Sequence, residues 1–135
     1  MASRRRLVAA IVATACAAGA GCAVTTADGR RLRLASSEFR VYAEQVFREQ
    51  NRVASDLAFA LETPAPAADL IEAEESLLAA CSSLNAVASA RRDGESSSLA
   101  EQTRAGRDAP RCEAAIAVAE AALERSRRRE PTDRN

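Results

Sequence analysis

Apolar residues recur along most of this chain at helical spacing, and three stretches carry the pattern. In the first, Phe39, Val46, Val53 and Ala60 repeat every seven residues, with Ala43, Gln50 and Leu57 between them at steps of four and three. This is one apolar stripe along a helix, and Tyr42, Phe47, Ala54 and Leu61 widen it. The helix is expected to begin after Ser36 or Ser37, whose hydroxyls suit its free N–H groups, and to end at Glu62. Thr63-Pro64-Ala65-Pro66 stops it, because each proline ring removes a donor and biases the residue before it away from helix. Gln50 interrupts the seam; the simplest expectation is a half-exposed amide bonded to water, with a register-fixing polar group as the alternative.

A second helix is expected from Ala67 to Arg92, with Leu70, Leu77 and Leu84 at seven-residue spacing, Ile71 and Leu78 beside them, and Cys81 and Ala88 in the intervening turns. Asp69 and Glu72 suit its positive end, Arg91 and Arg92 the other, and Gly94 terminates it. Ser98-Leu99-Ala100-Glu101 has the form of a capping box that opens a third helical segment. Gly106-Arg107-Asp108 is expected to break or kink that segment, leaving Pro110 in the first turn of its main stretch. Cys112, Ile116, Ala119 and Leu123 then form a narrower stripe, with fraying among Arg125, Arg127, Arg128 and Arg129. Short connections make consecutive helices antiparallel neighbours. The fold expected is therefore all-α, a small antiparallel bundle of about three helices over residues 36–130, the third kinked near Gly106–Pro110, with a tail over 131–135.

The bundle also predicts a crosslink. Cys81 and Cys112 each lie on the apolar stripe of their own helix, and their midpoint falls between Ser96 and Ser97, inside the expected turn. Residues equidistant from the turn of an antiparallel hairpin come level, so a Cys81–Cys112 disulfide is expected; two buried reduced thiols are the alternative.

Upstream of the helices the character changes. Arg4, Arg5 and Arg6 precede an uncharged, mostly small apolar run from Leu7 to Ala20, which reads as an export signal. The run is too short for a membrane-crossing helix, which needs about 20 apolar residues. It closes on Gly19-Ala20-Gly21-Cys22, which resembles the lipobox of bacterial lipoproteins, where small residues precede a cysteine that is lipidated and becomes the mature N-terminus. Ala20, Gly21 and Cys22 match the pattern; Gly19 stands where the family usually carries Leu. The resemblance implies a signal peptide over 1–21 and a lipid anchor at Cys22, palmitate among its acyl chains. It also implies, through Ala23 after the cysteine, sorting to the outer membrane with the domain facing the periplasm. Ordinary cleavage after Ala18-Gly19-Ala20, giving a secreted or periplasmic soluble protein, is the alternative. Cysteine parity bears on the choice: with Cys16 in the leader and Cys22 lipidated, an even pair remains, whereas cleavage after Ala20 leaves three thiols.

Residues 22–35 are expected to be a tether. They show no sustained apolar period and contain an Asp28-Gly29 turn signal. Arg30, Arg31 and Arg33 in it are expected to be solvated, with contact to anionic lipid headgroups as the sharper possibility.

Composition narrows the chemistry. The 135-residue chain is neutral overall, and loss of a leader that holds three Arg and no acid leaves the mature part at −3. A general nucleic-acid binder is not expected of such a chain. There is no His and no Trp, and Met1 is the only Met, so the usual general base, the commonest zinc ligand and the haem-attachment signature are missing. Glu72, Glu74 and Glu75 form the densest acidic cluster and read as a solvated helix face. No phosphate loop, dinucleotide fingerprint, nucleophile elbow or zincin motif occurs. No catalytic residue, metal site or cofactor is therefore assigned. The expectation is a lipid-anchored envelope protein of structural or partner-binding type, meeting another envelope protein or a second copy, with Phe59 and Tyr42 as candidate contacts. A small-ligand or metal-responsive envelope sensor is the alternative.

Overall fold

A computed structural model describes residues 22–129. The leader expected over 1–21 and the tail expected over 131–135 lie outside them. The described chain is three-quarters helical and runs through strands β1 (Ala23–Thr25) and β2 (Arg31–Arg33), then helices α1 (Ser37–Leu61), α2 (Ala68–Arg92) and α3 (Leu99–Arg129). The three helices form the expected bundle around one core.

Local chemistry explains the boundaries. Ser36 caps α1, its hydroxyl accepting the Phe39 N–H at 3.1 Å. At the end of α2, Gly94 takes φ +75°, the Glu95 N–H donates to the Ala90 carbonyl at 2.8 Å and the Gly94 N–H to that of Arg91. This is the Schellman arrangement, which uses carbonyls that the helix leaves free and needs a left-handed residue. The capping box at the start of α3 forms in both directions: the Glu101 N–H donates to the Ser98 hydroxyl and the Ser98 N–H to the Glu101 carboxylate. The Ser98 hydroxyl also donates to that carboxylate at 2.7 Å, and this bond first, then the one from the Ser98 N–H, holds the Glu101 carboxyl below its ordinary range.

α1 buries Phe39, Tyr42, Val46, Gln50, Val53 and Leu57, the stripe that the seven-residue repeat describes. Gln50 departs from expectation. It is only 3% exposed, and its side-chain oxygen meets no donor among the described residues. Its neighbours one turn away on the seam, Val46 and Val53, are buried too, and the bundle closes over it.

α2 and α3 pack as an antiparallel hairpin. Leu70 with Leu123, Leu77 with Ile116, Cys81 with Cys112, and Leu84 with Ala109 are each equidistant from the Ser96/Ser97 midpoint, and all eight are buried. The two cysteines are bonded, both fully buried, with Cα atoms 4.7 Å apart. So close an approach suits the small residues of α3, where Ala105, Gly106, Ala109, Ala119 and Ala122 are buried. Ile71 and Leu78, beside the main stripe of α2, stay outside, 41% and 53% exposed. At the far end Asp69 of α2 accepts from Arg129 at 2.9 Å and Arg125 at 3.4 Å, so two of the clustered arginines tie the end of α3 to the start of α2.

Two expectations are corrected. First, of the break or kink expected at Gly106–Asp108, the break is absent: α3 runs for 31 residues with Pro110 inside it. Pro110 withholds one N–H, but Ala105, Gly106, Ala109 and Cys112 on both sides of it are buried, and the disulfide fixes the helix two residues later. Packing overrides the local preference here. Gly106 has a separate duty, since a Cβ there would stand 2.9 Å from Leu34 Cδ2 and 3.3 Å from Phe39 Cζ.

Second, residues 22–35 are not a tether. They form an antiparallel hairpin with Ala23 opposite Arg33, Val24 opposite Leu32 and Thr25 opposite Arg31. Residues at every second position point to one face of a strand, and here Val24 is buried, while Leu32 and Leu34 pack against the helical core. Asp28-Gly29 forms the turn, Gly29 at φ +83°. The Asp28 carboxylate accepts the Thr26 hydroxyl and pairs with Arg30, and these two contacts, Thr26 first, hold its carboxyl below the usual range.

Candidate functional site

The hairpin determines where Cys22 sits. Its carbonyl accepts the Leu34 N–H at 2.9 Å, which extends the ladder by one rung. Counting by two, Cys22 falls on the face of Val24 and Thr26, the face turned to the bundle. Its thiol is nonetheless exposed and free, and Arg107 of α3 reaches it, Nη2 3.4 Å from Sγ.

A second anchorage holds the turn. Glu113 of α3 accepts the Ala27 N–H at 2.9 Å and the Tyr42 hydroxyl at 2.8 Å on the same oxygen. One carboxylate thus joins hairpin, α1 and α3. Tyr42 is 5% exposed and its ring lies 5.9 Å from that of Phe39, so the expectation that it offers a partner contact is corrected: it is a core residue whose polar tip faces Glu113. Burial, then the bond to Glu113 and the charge there, push its hydroxyl far above the ordinary value of 10.0. A folded-state value above the unfolded one gives stability that is present below about pH 10 and lost as pH rises beyond it. Thermal melts from pH 8 to 11 should therefore show an alkaline loss of stability in the parent that is weaker in Tyr42→Phe, which has no proton to lose. Equal alkaline slopes in the two proteins would exclude a part for Tyr42.

Phe59 behaves differently. It is 78% exposed near the α1–α2 corner and remains available as a contact. Glu72 and Glu75 are exposed and Glu74 is half-buried. Among the described residues no three Asp, Glu, Cys or His side chains come together as a metal site would require, and no helix is long and apolar enough to cross a membrane.

Sequence reasoning identified Cys22 but not its surroundings. Arg107 and Glu113 lie 85 and 86 residues from the hairpin atoms that they hold, and only the fold brings them there. Arg107 carried a sequence signal of another kind, since Arg104, Arg107 and Arg111 fall at steps of three and four along one helix.

No protein-family model matches this chain, and neither the curated proteins nor the solved structures contain one significantly similar to it.

Proposed function

We propose that the chain is a lipid-anchored component of a bacterial envelope, attached through Cys22 and acting as a structural or partner-binding domain. The observation that supports this reading best is the division among the described cysteines: Cys81 and Cys112 are paired and buried, while Cys22, at the end of the lipobox-like sequence, is free and exposed. An unpaired thiol at the start of an exported domain is accounted for if an acyl group occupies it. By similarity to bacterial lipoproteins, the Ala23 that comes after Cys22 suits sorting to the outer membrane, with the domain facing the periplasm. Exposed Phe59, on the bundle's surface, is the side chain best suited to meet an envelope partner or a second copy, since aromatics are enriched at interfaces.

Expression of the full chain in a bacterium fed a palmitate analogue tests the proposal. The parent should take up label and fractionate with membranes, and Cys22→Ala should lose both. A soluble, unlabelled parent beginning at Gly21 would favour ordinary cleavage after Ala20 instead. A photo-crosslinker at position 59 should capture a partner from intact envelopes, with position 42, which is buried, as the control.

A further inference from the structure

We infer that the outer face of α3 is a membrane-contact surface, on which Arg104, Arg107 and Arg111 bind the phosphates of anionic phospholipid headgroups. This inference rests on the lipid anchor proposed at Cys22.

Ala100, Arg104, Arg107, Arg111, Ala114 and Val118 succeed one another at steps of four, three, four, three and four, so they lie in one row along the helix. All six are exposed, and Val118 is 57% so. The row contains no acid. None of its three arginines belongs to an ion pair among the described residues, whereas Arg30, Arg52, Arg125 and Arg129 all do. The nearest carboxylate in sequence, Asp108, is turned aside to accept the Ser83 hydroxyl at 2.7 Å. Leu99, 80% exposed, lines one shallow depression with Arg104, Arg107 and Asp108, the last being the one carboxylate there and already engaged by Ser83. Basic groups flanked by exposed apolar ones suit the headgroup boundary of a bilayer, where cations meet phosphate and aliphatic side chains leave water.

The position of Cys22 selects the lipid surface over other anionic partners. A flexible tether over 22–35 would have let the domain stand off by tens of ångströms, at about 3.3–3.6 Å per extended residue. The hairpin removes that slack. The atom that would carry the acyl chain is 3.4 Å from Arg107, so chains entering the bilayer from Sγ bring this row of α3 to the headgroups. Each arginine near an anionic surface should favour the docked orientation about fivefold.

The test uses the full-length protein purified from membranes with its anchor, its mass measured for acylation, and reconstituted into vesicles of phosphatidylcholine with or without phosphatidylglycerol. With Cys22 acylated and Cys81–Cys112 oxidised, a cysteine introduced as Leu99→Cys or Phe59→Cys is the sole thiol for an environment-sensitive fluorophore. In vesicles containing phosphatidylglycerol the probe at 99 should be quenched by brominated lipid severalfold more than the probe at 59. R104Q/R107Q/R111Q, or neutral vesicles, should abolish that difference. The substituted side chains are exposed, and an unchanged circular dichroism melt checks the fold. Acylated protein whose probe at 99 stays in water on anionic vesicles, or is unmoved by the triple substitution, overturns this inference and leaves the anchor standing. Protein without acyl mass overturns both.

Discussion

Reduction of the Cys81–Cys112 bond should lower the unfolding free energy of the domain by about 3.5–4 kcal/mol. The two residues are 31 apart in sequence, and in the chain-entropy treatment closing a loop of that length removes about this much freedom from the unfolded chain. The effect matters because the interface it spans is built from small side chains: α3 contributes Ala105, Gly106, Ala109, Ala119 and Ala122 to the core but only Ile116 and Leu123 as large apolar groups. For a domain of this size each kcal/mol moves the melting temperature by about 4–8 °C, so a fall of roughly 15–30 °C is expected. Melts followed by circular dichroism with and without reductant measure it. Cys81→Ala/Cys112→Ala should match the reduced parent closely and show no response to reductant. A parent whose melting temperature barely changes on reduction would mean that packing alone holds α2 to α3.

The elements and their faces were legible wherever one local rule sufficed. The repeats through Phe39, Val46 and Val53 and through Leu70, Leu77 and Leu84 marked the buried sides of α1 and α2, because a helix turns apolar residues at those steps to one side whatever it packs against. The disulfide was legible for a related reason: the turn and the two cysteines shared one midpoint. The hairpin was not. Its strands have three residues each, too few for alternation to stand out, and Thr and Arg on their outer face made the stretch look like solvent. Only Asp28-Gly29 announced a turn. What gathers buried Val24 and half-buried Leu32 and Leu34 into one set is the bundle beneath them, including the space that Gly106 leaves for Leu34.

That difference bears on the candidate site. Cys22 was singled out by the lipobox-like sequence before it, and the proposal for it changes once residues 22–35 belong to the fold. An anchor on a flexible tether constrains distance only. The anchor proposed at Cys22, one rung beyond β1, beside Arg107 and with Glu113 securing the turn, would constrain orientation as well. Tyr42 shows the same limit of sequence reading. Its place beside the apolar stripe marked it for the buried side of α1, but Glu113, which receives its hydroxyl, is 71 residues away and only the fold brings it there.

Gln50→Leu should stabilise the domain by about 1–3 kcal/mol. In the unfolded chain the amide oxygen of Gln50 is hydrogen-bonded to water; in the bundle it is buried and meets no donor among the described residues, and loss of a polar group's hydration without replacement costs about that much. Leu nearly conserves the volume and suits a seam already occupied by Val46, Val53 and Leu57. Gln50→Ala provides the contrast, because it removes the same polar oxygen but leaves a cavity, so it should gain little or lose stability. Urea unfolding of the three proteins separates these cases. If Leu proves as destabilising as Ala, the amide is satisfied in solution and the seam depends on it. If Leu stabilises as expected, the retained Gln requires another account, and register is the natural one: a single polar residue on an apolar seam disfavours alternative helix alignments that would bury it less well. That account makes its own demand on the Leu variant, which should gain stability yet lose uniqueness, seen as broadened amide resonances or a shallower urea transition than the parent's.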